Sequence, residues 1–351
     1  MIHDIMTPMQ RVLKALAYKE PDRVPLFLTL TMYGAKELNM PIEKYFSQSK
    51  YVVEAQLKMQ EKYNNDFLYN FLYAPVEIEA WGGEVIFSKE GPPNSGKPFI
   101  HNIELINDLI IPNIYDSKCL VKILNITEQL KKKVNDYIPI VGVVMSPFSL
   151  PVMQMGFDKY IQLIYNNPDL FEILIKINES FCLNWANAQI KAGATAICYF
   201  DPVSSPSIIH RELYLHTGYK IAKRIIGNIK APVVTHFASG RCLSILGDLI
   251  KTGTLAIGTS CLENISKIKN KAQNNIAIIG NLNGVEMRSW SPEVTESIIK
   301  DIICSAAPGG GFILSDNHGE IPYQVPESVL TNISKAVKKW GHYPIELKND
   351  L

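Results

Sequence analysis

Three polar residues stand where an α/β protein most easily places chemistry. His236 ends the apolar run Pro-Val-Val-Thr-His and is followed by the small-residue stretch Phe-Ala-Ser-Gly-Arg-Cys. His318 lies in Ser-Asp-Asn-His-Gly-Glu-Ile-Pro, directly after the run Gly-Phe-Ile-Leu. Asp201 follows Cys-Tyr-Phe and precedes Pro202. An imidazole can bind a metal or move a proton near neutral pH, and a carboxylate can accept a proton or orient a neighbour. His236 reads equally as a satisfied structural histidine and as a ligand or acid–base group. Asp201 reads equally as a catalytic group and as a cap for the next helix. A run of polar residues after a β-rich stretch is a costly place for a purely structural histidine, so His318 reads as functional. Cys261, after Gly-Thr-Ser, and Asn281 end two further runs.

Seven short apolar, β-branched runs carry these positions, 24–30, 138–145, 196–200, 232–236, 255–259, 276–280 and 311–315, and 66–72 is taken as the eighth that is needed between the first two. They are nearly continuous in hydrophobicity, as strands buried on both faces are. Helical patterns separate them. Thr7-Pro8 caps a first helix over 5–19 with Met9, Val12, Leu13 and Leu16 on one face, which is expected to pack outside the barrel. Ser291-Pro292 and Pro326-Glu327 open two more. A long helical stretch over 158–192 is interrupted at Asn166-Asn167-Pro168. Eightfold strand–helix alternation predicts an α/β fold, a single (β/α)8 TIM barrel, with one domain over 1–351. The irregular segment 74–117 is an excursion after the second strand, in the form of a lid-like hairpin at the mouth. An open doubly wound sheet is the competing arrangement, but no G-x-G-x-x-G follows any strand. Barrel enzymes keep their reactive groups at the C-terminal ends of strands, which is where His236, Asp201 and His318 fall.

With 47% hydrophobic residues in 351 and a formal charge of +1, the chain can bury a large core and has no electrostatic pull toward nucleic acid or an anionic membrane. No apolar run approaches the ~20 residues of a membrane span. The start Met1-Ile2-His3-Asp4 has no leader pattern, and the six cysteines are scattered without a CxxC pair, so reduced thiols and a cytoplasmic setting are expected.

The segments Met-Thr-Pro-Met-Gln-Arg-Val-Leu from Met6, Lys-Glu-Pro-Asp-Arg-Val-Pro from Lys19, Gly-Asn-Leu-Asn-Gly from Gly280, and Asn-His-Gly-Glu-Ile-Pro from Asn317 resemble the uroporphyrinogen decarboxylase superfamily. They match in order and spacing from about residue 6 to 340. The decarboxylases themselves carry an arginine-containing RQAGRY segment after the first strand. Here that place reads Leu-Thr-Leu-Thr-Met-Tyr-Gly from Leu28, without arginine. Their essential aspartate falls on about Tyr73 and their active-site tyrosine on about Met153. A polycarboxylate substrate needs cationic donors, and none stands there.

The resemblance therefore points to the corrinoid-dependent methyltransferase branch, whose coenzyme M and chloromethane members bind zinc through an H-x-C motif and a later cysteine. The first ligand matches His236, the second falls on Ala238, and the third on His318; Cys261, at a strand end, is preferred for the remaining place over Cys242, Asp316, Glu320 and Glu77. Imidazole in place of thiolate leaves zinc a stronger Lewis acid, which suits polarising an ether oxygen rather than activating a thiol. The resemblance implies zinc on His236, His318 and Cys261, catalytic roles for Asp201 and His318, and a small methylated substrate. The methyl acceptor would be cobalamin on a separate corrinoid protein. Tyr73, Trp81, Phe148, Met153 and Met155 are the expected lining of the substrate pocket.

Overall fold

The computed structural model describes residues 5–345. Residues 1–4, on which the leader reading rests, and 346–351 lie outside the described residues. All eight expected runs form strands: β1 Leu26–Phe27, β2 Leu68–Tyr69, β3 Ile140–Met145, β4 Ala196–Phe200, β5 Val233–His236, β6 Ala256–Gly258, β7 Ala277–Leu282 and β8 Phe312–Asp316. They form one parallel sheet in the order β1-β8-β7-β6-β5-β4-β3-β2.

The first two strands are shorter than their apolar runs because side chains take over the pairing between them. Asp66 donates its N–H to the Leu26 carbonyl at 2.8 Å, and its carboxylate accepts the Leu26 N–H at 2.8 Å. Asn65 imitates a peptide, accepting from Leu28 N–H and donating to Leu28 O, both at 3.0 Å. These bonds join the two sheet edges and close the barrel. Asp66 is in turn fixed by Arg11 at 2.6 Å and Arg23 at 2.7 Å, all three buried. Asp66→Asn removes a charge-assisted set of bonds at the seam. It is expected to lower unfolding free energy by on the order of 2 kcal/mol in urea denaturation.

The helix Pro8–Leu16 begins with a capping box between Thr7 and Gln10. It lies across the N-terminal end of the barrel, where Val12 joins the interior cluster of Phe27, Phe67, Tyr69, Val141 and Ile313. Its apolar face floors the bore; the outer helices pack on a separate, larger core around the barrel. The long helical stretch is two helices, Phe157–Asn166 and Pro168–Ala192, broken at the proline. The excursion contains a short helix Val76–Ala80 and a hairpin pairing Val85–Ile86 with Asn94–Ser95. At the hairpin tip the Glu90 carbonyl accepts from Gln324, which follows β8, at 2.5 Å. Among the described residues, no helix is long and apolar enough to cross a membrane.

Candidate functional site

Strand parity decides which residues face the bore, because successive side chains point to opposite faces. On β4 and β5 the even-numbered positions look inward: Ala196, Cys198, Val234 and His236 line the bore, and Phe200 packs on its cluster. Register pairs Phe200 with His236, and their rings stack at 5.3 Å and 8°. His236 Nδ1 accepts the Ala238 N–H at 3.0 Å, which assigns the ring proton to Nε2. Burial lowers its pKa to about 4; the Asp316 charge opposes the shift and His318 adds to it. His236 is thus a neutral imidazole near neutral pH, able to donate from Nε2.

The opposite wall comes from β1 and β8. Asp316 Oδ2 accepts the N–H groups of His318 and Gly319, both at 2.9 Å. The Thr29 hydroxyl donates to Asp316 and the Thr31 hydroxyl to Glu320. Glu320, half-buried, is pushed up to about 8 by burial and the Asp316 charge. Gly319 has φ +80°, and a Cβ there would stand 2.9 Å from Phe200 and 3.4 Å from His236. Glycine lets the loop close over the stacked pair. His318 is half-buried; its Nδ1 has no hydrogen-bond partner among the described residues and lies 3.3 Å from where a Cβ on Gly284 would stand. Asn317 donates to Cys261 Sγ at 3.3 Å, and burial raises that thiol's pKa.

These donors do not fit the zinc site that the resemblance implies. Among the described residues, no three His, Cys, Asp or Glu side chains stand close enough to hold one metal ion. His236 accepts through Nδ1, so its Nε2 carries the ring proton and offers no lone pair to a metal. His236, His318 and Cys261 therefore do not form a ligand triad in this arrangement.

Asp201 does not share the pocket, contrary to the strand-end expectation. Its odd register turns it away from the bore, and its carboxylate accepts from Ser146 at 2.5 Å and Ser149 at 2.6 Å. Burial raises its pKa and the two serines oppose the shift. Asp201 organises the turn after β3, where the Ser149 hydroxyl also accepts the Val203 N–H. The five expected pocket residues do not border the bore either. Tyr73 is buried, bonded to Glu79 and packed on Phe46 and Phe87. Trp81 packs between Phe99 and Phe181, and Phe148 against Tyr160 and Phe171. Met155 is buried and Met153 half-buried in the same outer core. Phe200, Gly258 and Gly319 meet His236, and Thr29 lines the same bore; none of them carries the acid–base or ligand chemistry that marks a candidate in the sequence. Strand parity was the signal that could have found Phe200 and Thr29.

A second buried carboxyl lies off the bore. Glu77 accepts the Met145 N–H at 2.8 Å through Oε1, while Oε2 has no hydrogen-bond partner among the described residues. Burial pushes its pKa up to about 8, against the Met145 bond. The unfolded chain releases that proton near pH ~4.3. Between the two values the fold holds a proton that the unfolded chain has lost, so stability falls as pH rises through this window and levels off above it. Glu77→Gln keeps an acceptor for Met145 and removes the ionisation. Its melting temperature is expected to gain on wild type steadily from pH 5 to 8, by at most a few kcal/mol equivalent. Parallel melting curves across that range would exclude the assignment.

A barrel with reactive groups gathered at β5 and β8 fits many enzymes, and comparison narrows the choice. The family model for uroporphyrinogen decarboxylase (URO-D) matches residues 7–340. The chain belongs to the uroporphyrinogen decarboxylase family. Uroporphyrinogen decarboxylase of Mannheimia succiniciproducens is 26% identical over 304 residues, covering 82% of this chain and 83% of its own. That of Nitrosomonas europaea is 26% identical, covering 73% of each. Among solved structures, a methyltransferase from Methanosarcina mazei superposes with a TM-score of 0.84 at 20% identity, over 95% of this chain and 99% of its own. A B12-independent methionine synthase from Shewanella sp. W3-18-1 superposes with a TM-score of 0.50 at 13% identity, over 82% and 86%. At these identities the superpositions establish the fold of this enzyme-family member.

Proposed function

We propose that this member of the family moves a methyl group between a small methylated substrate, of the ether or methoxylated type, and the cobalamin of a separate corrinoid protein. One observation carries the reading: the bore that ends at His236 is apolar, and among the described residues no lysine or arginine borders it. A substrate bearing several carboxylates would enter it unpaired, at a cost of several kcal/mol per buried charge. A small uncharged molecule meets no such cost. The name of the Methanosarcina mazei protein, a methyltransferase, supports the same direction.

Cobalamin in its cob(I) form would supply the electron pair that takes the methyl group. The chain's own residues hold the substrate and manage the proton. His236 presents Nε2–H at the head of the bore, beside the leaving oxygen. His318, fixed through its backbone on Asp316, is the proton donor as the carbon–oxygen bond breaks. The Asp316–Thr29 and Glu320–Thr31 pairs keep the loop after β8 in register with β1. With no fitted ligand set, no step passes through zinc.

The test is to incubate the purified protein with cob(I)alamin and a short methyl ether, and to follow the visible spectrum. Protein-dependent appearance of methylcob(III)alamin is expected, with no carbon dioxide released from uroporphyrinogen. Carbon dioxide from uroporphyrinogen without methyl transfer from any ether would overturn the reading in favour of a decarboxylase.

A further inference from the structure

Barrels of this type usually fill their interior with layers of side chains. This one does not. A cavity of about 80 Å³ runs inside it, floored by Val12, Leu13 and Leu16 and walled by Phe27, Tyr69, Val141, Cys198, Val234 and Ile279. Below Phe200 and His236 the inward residues Val141, Ala196, Cys198 and Val234 are short, which leaves the space open. Ala196 and Val234 keep some accessible surface although they point into the barrel. At the floor, Leu13 and Leu255 are 56% and 46% exposed, so the rim of the bore is itself apolar.

Most polar groups that could hold water there are already engaged, which leaves the His236 Nε2–H, a single donor, at the head of the bore. The Ser315 hydroxyl donates to the Phe27 carbonyl at 2.7 Å, the Thr29 hydroxyl to Asp316, and the Tyr69 hydroxyl to the Gly319 carbonyl at 3.4 Å. His236 Nδ1 is taken by Ala238. A buried water needs two to four polar partners, and apolar cavities without them stay dry and take apolar guests. A cavity of roughly 150 Å³ accepts benzene or xenon. One about half that size suits xenon or a molecule of a few heavy atoms.

We propose that the bore is a binding chamber for a small apolar molecule, and that it receives the short alkyl end of the substrate below His236. The second half of this rests on the methyl-transfer reading: the alkyl end points down the bore and the transferred methyl group faces the mouth. The substrate class that follows is a methyl ether, or comparable methylated compound, with a short aliphatic chain.

Xenon is the probe, followed by its NMR chemical shift in solutions of the whole protein. Wild type is expected to show saturable binding. Cys198→Phe should abolish it, and Val234→Ile, a gentler filling that adds one carbon, should weaken it several-fold if the phenylalanine variant fails to fold. Dimethyl ether and ethyl methyl ether should displace xenon, whereas methyl phenyl ether should not. No saturable shift in wild type, or unaltered binding in folded filled variants, overturns the chamber. Equal displacement by methyl phenyl ether overturns the size-limited substrate class. Displacement by the short ethers without any methyl transfer supports the chamber and counts only against the reaction. Methyl transfer without xenon binding does the reverse.

Discussion

Gly258→Ala is expected to lower kcat/KM by about 10²-fold while shifting the melting temperature by only about 2–4 °C. A Cβ at Gly258 would stand 2.2 Å from His236 Cδ2 and 2.7 Å from Nε2, far inside contact distance. Gly258 lies within β6, paired in register with both neighbours, so alanine suits its backbone. The conflict is therefore with the imidazole alone. That ring is held by the Phe200 stack and by the Ala238 N–H, and one of these must yield. If Nε2 orients the leaving group, moving it by an ångström is enough to lose most of the rate. Wild-type kcat/KM in a folded Gly258→Ala protein would remove His236 from the reaction. His236→Gln provides the complementary comparison, because its amide can still donate but cannot reproduce the ring stack.

Hydrophobic runs located seven of the eight strands, because a parallel barrel buries both faces of each strand, and the count that a closed barrel requires supplied the eighth at 66–72. The strand-end rule placed His236 at the end of β5 and His318 just past β8, and the structure has both side chains there, beside the loops over the bore. It failed for Asp201, which is one residue past the inward-facing Phe200. A period of two reverses the direction of a side chain with every step along a strand, so proximity to the strand end alone does not determine its surroundings. Register against β5 shows that the inward residue is Phe200. The aromatic and methionine residues near the mouth had the composition of a pocket, but this composition is shared by the outer core, and Tyr73, Phe148 and Met155 pack there. The first helix posed a similar problem. Met9, Val12, Leu13 and Leu16 announce an apolar face, while only the closed barrel supplies an open end for that face to cover. The seam at Asn65 and Asp66 was hidden for a different reason: polar side chains replace backbone pairing there, against the hydrophobic pattern used to find strands.

His318→Ala should reduce kcat by on the order of 10²–10⁴-fold, the usual contribution of a general acid, with little change in KM. The residue follows β8, and Asp316 fixes both its own N–H and that of Gly319. Its Nδ1 has no hydrogen-bond partner among the described residues, and the missing side chain of Gly284 leaves room beside it. A polar nitrogen left open in a half-buried position is expensive unless a substrate or solvent uses it. Two roles predict different results. A zinc ligand would lose bound metal and activity together, since removing one protein ligand weakens such a site substantially. A proton donor would leave metal content as in wild type and slow only the step in which oxygen departs. The choice of substrate sharpens the distinction. Ether cleavage releases an alkoxide, which needs a proton, whereas a thioether such as dimethyl sulfide releases a thiolate, a far better leaving group. The His318→Ala defect should therefore be large with dimethyl ether and small with dimethyl sulfide, and added imidazole should restore part of the ether rate. Equal loss with both substrates, accompanied by loss of metal, would assign His318 to a ligand set instead. Unchanged kcat with the ether would leave His318 no role in the reaction.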